Sequence, residues 1–443
     1  MTEQMKSSGI GWIKDIPSSW EITKVKYLAT EPGTLFLDGD WIESDVIEES
    51  GIRYLTTGNV GAGFYKEQGC GYISEKTFSE LHCLNVYPGD LMISRLNEPI
   101  GRACIIPDTE SRYVVAVDNV ILRPNANYNK KFIMYGMNAD GYAEHANMIA
   151  RGATMSRISR SQLGQFWLAF PNIEEQQAIA DFLDKECAQI DSIAADLEKQ
   201  VTLLQQYKKS LITETVTKGL DKSVPMKDSG VEFFGKIPAH WKVSKTKYVA
   251  DISIGLVTTM TANYVDEDGV PLIRNSNIRT NHIDDNGMVY LSKEFAKANI
   301  GRALHKGDIV TVHTGDVGTS AIINETYHMS HGFATIISRL KTKTVNNHFL
   351  CWLYNSEIFK EMSIAYSTGD GRQNLNLYDF VDFYILIPTL KEQMEIVNWL
   401  NLKCTEIDNF IENKQQQLLL IQQHKKSLIY EYVTGKKRVK EVR

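Results

Sequence analysis

His328 and His331, in the stretch YHMSH, stand three residues apart, a spacing that could hold a metal ion. No third ligand is suggested by spacing, so both are expected to serve the core or the surface. GNVGAGF and STGDGR are rich in glycine. Neither follows G-x-G-x-x-G or G-x-x-x-x-G-K-[ST], the spacings that cradle phosphates. The chain has no [ND]-P-P-[YF] motif of adenine methyltransferases and no nuclease-like carboxylate cluster. Cys70, Cys83, Cys104, Cys187, Cys351 and Cys404 are scattered without a C-x-x-C pair, which reads as reduced thiols rather than a zinc site or disulfide framework. Catalysis therefore has no visible constellation here.

The bulk numbers agree with a soluble multidomain chain. At 443 residues, 43% hydrophobic and 23% charged, two or more cores are expected. No apolar run approaches the ~20 residues of a membrane span. MTEQMKSSGIGW lacks a basic stretch followed by an apolar one, so a cytoplasmic protein without a secretory signal is expected. A net charge of −6 argues mildly against nonspecific coating of nucleic acid, yet leaves room for a basic face.

The strongest signal is internal repetition. QQYKKSLITETVT (Gln205–Thr217) and QQHKKSLIYEYVT (Gln422–Thr434) agree at ten of thirteen positions. SGIGWIKDIPSSWEITKVKYLA (Ser8–Ala29) aligns without gaps to SGVEFFGKIPAHWKVSKTKYVA (Ser229–Ala250), and FPNIEEQQAIADFLDKECAQID (Phe170–Asp191) to IPTLKEQMEIVNWLNLKCTEID (Ile387–Asp408). Between these markers only echoes survive: TTGNV against RNSNI, and PGDLMIS against KGDIVTV. A whole domain plus a helix has been duplicated, with divergent middles.

Those middles read as α/β, with short strands such as GDLMISR and GDIVTVHT between Gly, Pro and Asn turns. The exit segments read as long coiled-coil helices. Leu183, Ile190, Leu197, Leu204 and Leu211 recur every seven residues, with Ile193 and Tyr207 in a second row. The copy keeps Leu400, Ile407, Ile421 and Leu428 but has Lys414 in place of Leu197. An antiparallel pairing of the two helices would bring the chain back from its second domain. Trp20 and Trp241, at matching positions after I-P, read as packed anchors rather than stacking platforms for bases. The tail GKKRVKEVR reads as a basic, solubilising end.

IPSSW, P…EEQQAIADFL, KKSLI…VT and their repetition resemble specificity subunits of type I restriction–modification systems, and the resemblance spans essentially the whole chain. It implies an α+β architecture of two α/β target-recognition domains separated by two long antiparallel coiled-coil helices, a pseudo-twofold tandem repeat. The expected boundaries are 1–171 and 219–388 for the domains, 172–218 and 389–435 for the helices, and 436–443 for the tail. It also implies a non-catalytic subunit in which each domain reads one half of an asymmetric, gapped site on double-stranded DNA. Its partners would be two methyltransferase subunits and, through them, motor/nuclease subunits. No cofactor is expected on this chain; methyl donor, ATP and Mg would sit on those partners.

Base edges suit Arg, Asn, Gln, Ser, Thr and His, and phosphates suit Lys, Arg and backbone amides. The DNA-contact candidates in the first domain are therefore Arg95, Asn97 and Arg102 in SRLNEPIGR, and Arg151, Gly152, Thr154, Ser156, Arg157 and Arg160 in ARGATMSRISRSQ. In the second they are Arg274, Asn275, Asn277 and Arg279 in RNSNIRTNH, His313 and Thr314 in VHTGDVG, and Thr368, Gly369, Arg372, Gln373 and Asn374 in STGDGRQNLN. On the repeated strips, Gln205, Gln206, Lys208 and Lys209, with Gln422, Gln423, Lys425 and Lys426, are expected on an outer face that docks two copies of one partner. A competing reading is a protein-interaction scaffold with two variable binding domains on a coiled-coil spacer.

Overall fold

A computed structural model describes residues 4–69, 71–150, 156–258, 260–266, 268–369 and 371–439. The chain divides into two compact units: residues 1–197 with 416–443, and residues 198–415. Each unit therefore holds the start of one long helix and the end of the other.

The first unit is built on a four-stranded antiparallel sheet of β1 (Leu35–Asp38), β2 (Leu91–Ser94), β3 (Ala103–Ile105) and β4 (Asn119–Arg123), in the order β1-β4-β2-β3. Every residue of β2 is buried, so this strand reads as a continuous apolar run rather than an alternating one. A smaller sheet centres on Ile52–Leu55, which pairs antiparallel with Tyr72–Ile73 and parallel with Tyr113–Val115. Helices Lys130–Met137 and Asp140–Ile149 pack on one flank. Asn129 caps the first of these by accepting the Phe132 amide at 2.9 Å. Glu21–Lys24 and Trp167–Phe170 pair antiparallel, bringing the start and finish of the domain together.

The second unit repeats this plan. Its main sheet of β5 (Ala250–Ile254), β6 (Ile309–Val312), β7 (Ser320–Ile322) and β8 (Thr335–Leu340) has the order β5-β8-β6-β7. Val270–Arg274 pairs antiparallel with Val289–Leu291 and parallel with His331–Phe333. Lys242–Lys245 pairs with Tyr384–Ile387. Trp20 and Trp241 are both fully buried in their cores, as anchors should be.

Residues retained in both copies hold the frame. Gln176 is buried near the start of helix α1 (Ile173–Lys218), where its amide donates to Asn127 O and Pro171 O and accepts from Asn129 N. Gln393 does the same at the start of helix α2 (Leu390–Val433), with Thr344 O, Pro388 O and Asn346 N. Both donors and the carbonyl oxygen of each interior amide are thus engaged.

The helix ends close the units. In the first, Leu428, Ile429 and Val433 of α2 enter the core beside Leu183, Cys187 and Ile190 of α1, and the Phe182 and Tyr432 rings lie 4.6 Å apart. The Lys425–Asp191 pair at 2.6 Å fixes an antiparallel alignment there. In the second unit Ile212 and Val216 of α1 join Leu400 and Cys404 of α2, with Lys208 paired to Asp408 at 2.6 Å. Lys218 Nζ donates to Phe234 O and Lys236 O, while Lys436 Nζ donates to Ile13 O and Asp15 O. The described part of the expected solubilising tail is partly held: Lys436 is half-buried and Arg438 pairs with Glu175, while Lys437 and Arg438 remain exposed.

The seam differs in one respect from the expectation. Ile193 and Tyr207 are exposed, at 49% and 56%. The second row falls one residue later, at Cys187, Ala194, Val201 and Lys208, because an α-helical stripe alternates steps of three and four. Lys208 and Lys425 accordingly sit half-buried in the seam, each neutralised by its aspartate, rather than on an outer face. Lys414 is half-buried too.

Candidate nucleic-acid interface

Three segments meet at one end of the first sheet. The 3-10 turn Thr57–Asn59 is held by buried Asn59, whose amide donates to Lys66 O and Gln68 O. The loop after β2 runs from Arg95 to Arg102. It is laced to the third segment, Ser156–Arg160, by Asn97 N to Ser156 O (3.1 Å), Ile158 N to Arg95 O (3.1 Å) and a bridge between Leu96 and Arg157.

The second unit brings the same three segments together. Buried Asn277 holds the turn Asn275–Asn277 by donating to Asp284 O and Asn286 O. Beyond β6, Gly315 N donates to Gln373 O (3.0 Å), Leu375 N to His313 O (2.9 Å), and Thr314 bridges Asn374. Asn275 Oδ1 accepts the His313 amide at 3.3 Å.

Within these loops the candidate side chains divide. Arg95 is 6% exposed, ion-paired to Asp38 (3.2 Å) and Asp118 (3.8 Å), and donates to Val117 O and Ile158 O. Burial pulls its guanidinium below the ordinary arginine value, against the pull of Asp38. Arg102 spends its donors on the carbonyls of Thr57, Val60, Leu96, Asn97 and Pro99. Asn277 is interior as well. These three side chains are scaffold, not free hands for DNA, because their hydrogen-bonding groups are already committed inside the protein.

Others face solvent. Arg157 is half-exposed and held by Asp118 at 2.6 Å; Arg160 leans on Asp38 at 3.4 Å and donates to Phe36 O. Asn97, Arg279, Thr368, Gly369, Arg372 and Asn374 are exposed, and Ser156, Arg274, Asn275, His313, Thr314 and Gln373 are half-buried at the loop bases. Arg279 pairs with Asp284 at 3.2 Å, and Arg274 donates to Gly287 O. Gly369 has φ +111, and a Cβ there would meet Arg372 O at 2.5 Å, so this turn requires glycine. Arg151, Gly152 and Thr154 lie outside the described residues. Asp118 was not among the candidates: a carboxylate beside a polyanion reads as a repulsion, and nothing in its spacing shows that it holds an arginine.

A family model described as the type I restriction modification DNA specificity domain matches residues 18–203 and again 238–423. The chain belongs to that family. It carries two DNA specificity domains, one in each half, and the loops described above lie within the matched stretches.

Curated relatives are specificity subunits. The EcoBI specificity subunit of Escherichia coli is 26% identical over 275 residues, covering 61% of this chain and 58% of the relative's length. The putative MjaX specificity subunit of Methanocaldococcus jannaschii is 26% identical over 378 residues, covering 84% and 83%. Among solved structures, a chain from work on complex assembly and conformational transition of the type I R-M system superposes with a TM-score of 0.73 at 12% identity, covering 95% of this chain and 99% of the other. The HsdS subunit from Thermoanaerobacter tengcongensis gives 0.54 at 12% identity, covering 95% and 98%. At such identities the superpositions speak for the fold.

The specificity-subunit fold also frames a cleft in each unit. In the first, Gln422, Lys425 and Lys426 line a space of about 780 Å³ with Asp140, Glu144 and Asp191. In the second, Gln205, Lys208 and Lys209 line about 550 Å³ with Glu357, Glu361 and Asp408. Gln206 and Gln423 are exposed beyond these walls. Among the described residues no group of three potential ligands could hold a metal, and no helix is long and apolar enough to cross a membrane. His331 is fully buried, whereas His328 is exposed beside His305, so the YHMSH pair divides between core and surface. Cys83, Cys104, Cys187, Cys351 and Cys404 are free, buried thiols.

Proposed function

We propose that each specificity domain reads one half of an asymmetric, gapped DNA site, and that the long helices set the spacing between the halves. The observation that carries this is one loop frame written twice with different exposed side chains, Arg157 in one unit and Asn374 in the other. A shared frame with unlike hydrogen-bonding groups suits two readers of unlike sequence.

The chain itself performs no chemistry in this reading. It directs methyltransferase subunits, and through them motor/nuclease subunits, to the site, and it works in the cytoplasm. Methyl donor, ATP and Mg belong to those partners. The two clefts support near-equivalent docking of two methyltransferase subunits, because exposed Gln205 and Lys209 recur as Gln422 and Lys426 in matching surroundings. Methylome sequencing of cells with and without the gene tests the reading. The expected result is an asymmetric, gapped, adenine-methylated motif that disappears with the gene; a methylome unchanged by deletion contradicts it.

A further inference from the structure

Arg157 and Asn374 occupy one and the same place in the two units. Each is the residue bridged to the second position after a central strand, to Leu96 in one case and Thr314 in the other. The bonds on either side also match: Asn97 N to Ser156 O corresponds to Gly315 N to Gln373 O, and Ile158 N to Arg95 O corresponds to Leu375 N to His313 O. Both side chains are exposed, whereas the residues that follow them, Ile158 and Leu375, are buried.

Behind each exposed side chain stands a support that includes the first residue after the central strand, Arg95 or His313, and is otherwise built differently. In the first unit Arg95 lies 3.8 Å from Asp118, and Asp118 grips Arg157 Nη2 at 2.6 Å. In the second, His313, which corresponds to Arg95, meets Thr314 Oγ1 at 2.8 Å, and that hydroxyl donates to Asn374 Oδ1 at 3.3 Å. With the hydroxyl proton committed to Asn374, His313 must donate from Nδ1. Each support fixes one end of the tip and leaves donors facing out. Arg157 Nη1 and Nε and Asn374 Nδ2 have no partner among the described residues. Arg157 Nη2 meets Asp118 Oδ1 as an ion pair without hydrogen-bond geometry, and Asn374 Oδ1 keeps a second lone pair.

A pre-oriented guanidinium offers two parallel donors, which fit guanine O6 and N7. A pre-oriented carboxamide offers one acceptor and one donor, which fit adenine N6 and N7. Resting on the DNA-reading proposed above, we infer that this shared position determines base identity in each half-site: Arg157, positioned by Asp118, reads a guanine, and Asn374, positioned by Thr314 and His313, reads an adenine.

The test is selection from a randomised duplex library by the full-length chain assembled with its modification subunits, scored base by base. Arg157→Ala should relax one guanine in one half-site by about tenfold or more, leaving the other half-site as an internal control for folding. Asp118→Asn, nearly isosteric, should relax that same base, whereas a structural role would weaken all positions alike. Asn374→Ala should relax one adenine in the opposite half, and Asn374→Arg should move the preference there towards guanine. If Arg157→Ala and Asp118→Asn leave every base preference intact, or reduce all of them uniformly, the assignment is wrong. A wild-type assembly that selects no sequence overturns the DNA-reading itself and this assignment with it.

Discussion

Asp90 and Arg123 meet through two parallel contacts, Nε to Oδ1 at 2.8 Å and Nη2 to Oδ2 at 2.6 Å, and Asp308 and Arg339 repeat both distances. Each aspartate is almost fully buried and also accepts a backbone amide, from Tyr87 or His305. The pair clamps the turn before a central strand to the neighbouring strand, which explains why a Gly-Asp dipeptide survives at the same point of two otherwise divergent middles.

Removing the carboxylate strands the guanidinium and the amide together. Asp90→Ala should destabilise the first unit by about 3 kcal/mol. Hydrogen exchange, read separately for β4 and β8, should show lost protection in β4 and little change in β8. Equal losses in both would mean that the clamp acts globally.

Gln176 makes a comparable prediction from a neutral group. Gln176→Glu keeps the shape but turns a donor towards the carbonyls of Asn127 and Pro171 into an acceptor. A cost of about 2 kcal/mol or more is expected, concentrated at the start of α1. Chemical denaturation of the variant should show this shift; an unchanged midpoint would contradict the role given to the buried amide.

These frame contacts were legible in the sequence as repeated EQ, GD and I-P-x-x-W elements, because a residue that must satisfy the same buried partners twice is kept twice. The site was less legible. Arg95 and Arg102 have the residue type of a DNA reader, yet whether an arginine points out or plugs a loop depends on carbonyls and aspartates brought in from distant segments. Lys208 looked external for a related reason: on composition alone a lysine belongs outside, and only its pairing with Asp408 makes a seam position tolerable. Asp118 carried no signal at all, since its meaning lies in its pairing with Arg95 and Arg157.

Gly435 closes the first unit. Its φ is +70, and an added Cβ would come within 2.4 Å of Pro17. Gly435→Ala should cost about 1–2 kcal/mol through backbone strain and should loosen the end of α2 from the first unit. Limited proteolysis after Val433 should speed up; unaltered cleavage would mean that the turn absorbs the methyl group.

Burial lowers the pKa of His313, His331 and His348, all in the second unit, below the ordinary imidazole value of 6.5; for His331 a hydrogen bond to Asn299 opposes the shift. As pH falls below about 6.5 the unfolded chain takes up these protons first, so their contribution to stability is complete above that pH and declines beneath it. Exchange protection in β8, corrected for intrinsic rate, should therefore drop between pH 7.5 and 5.5. Protection that held or rose would contradict the sign.

The central claim is that two separable readers share one scaffold. Its most direct measurement replaces residues 30–165 with the corresponding segment of another member of the family and sequences the methylome of cells carrying the hybrid. The account predicts a motif in which one half changes, while the other half and the spacing stay as they were. A hybrid that alters both halves, or neither, would contradict it.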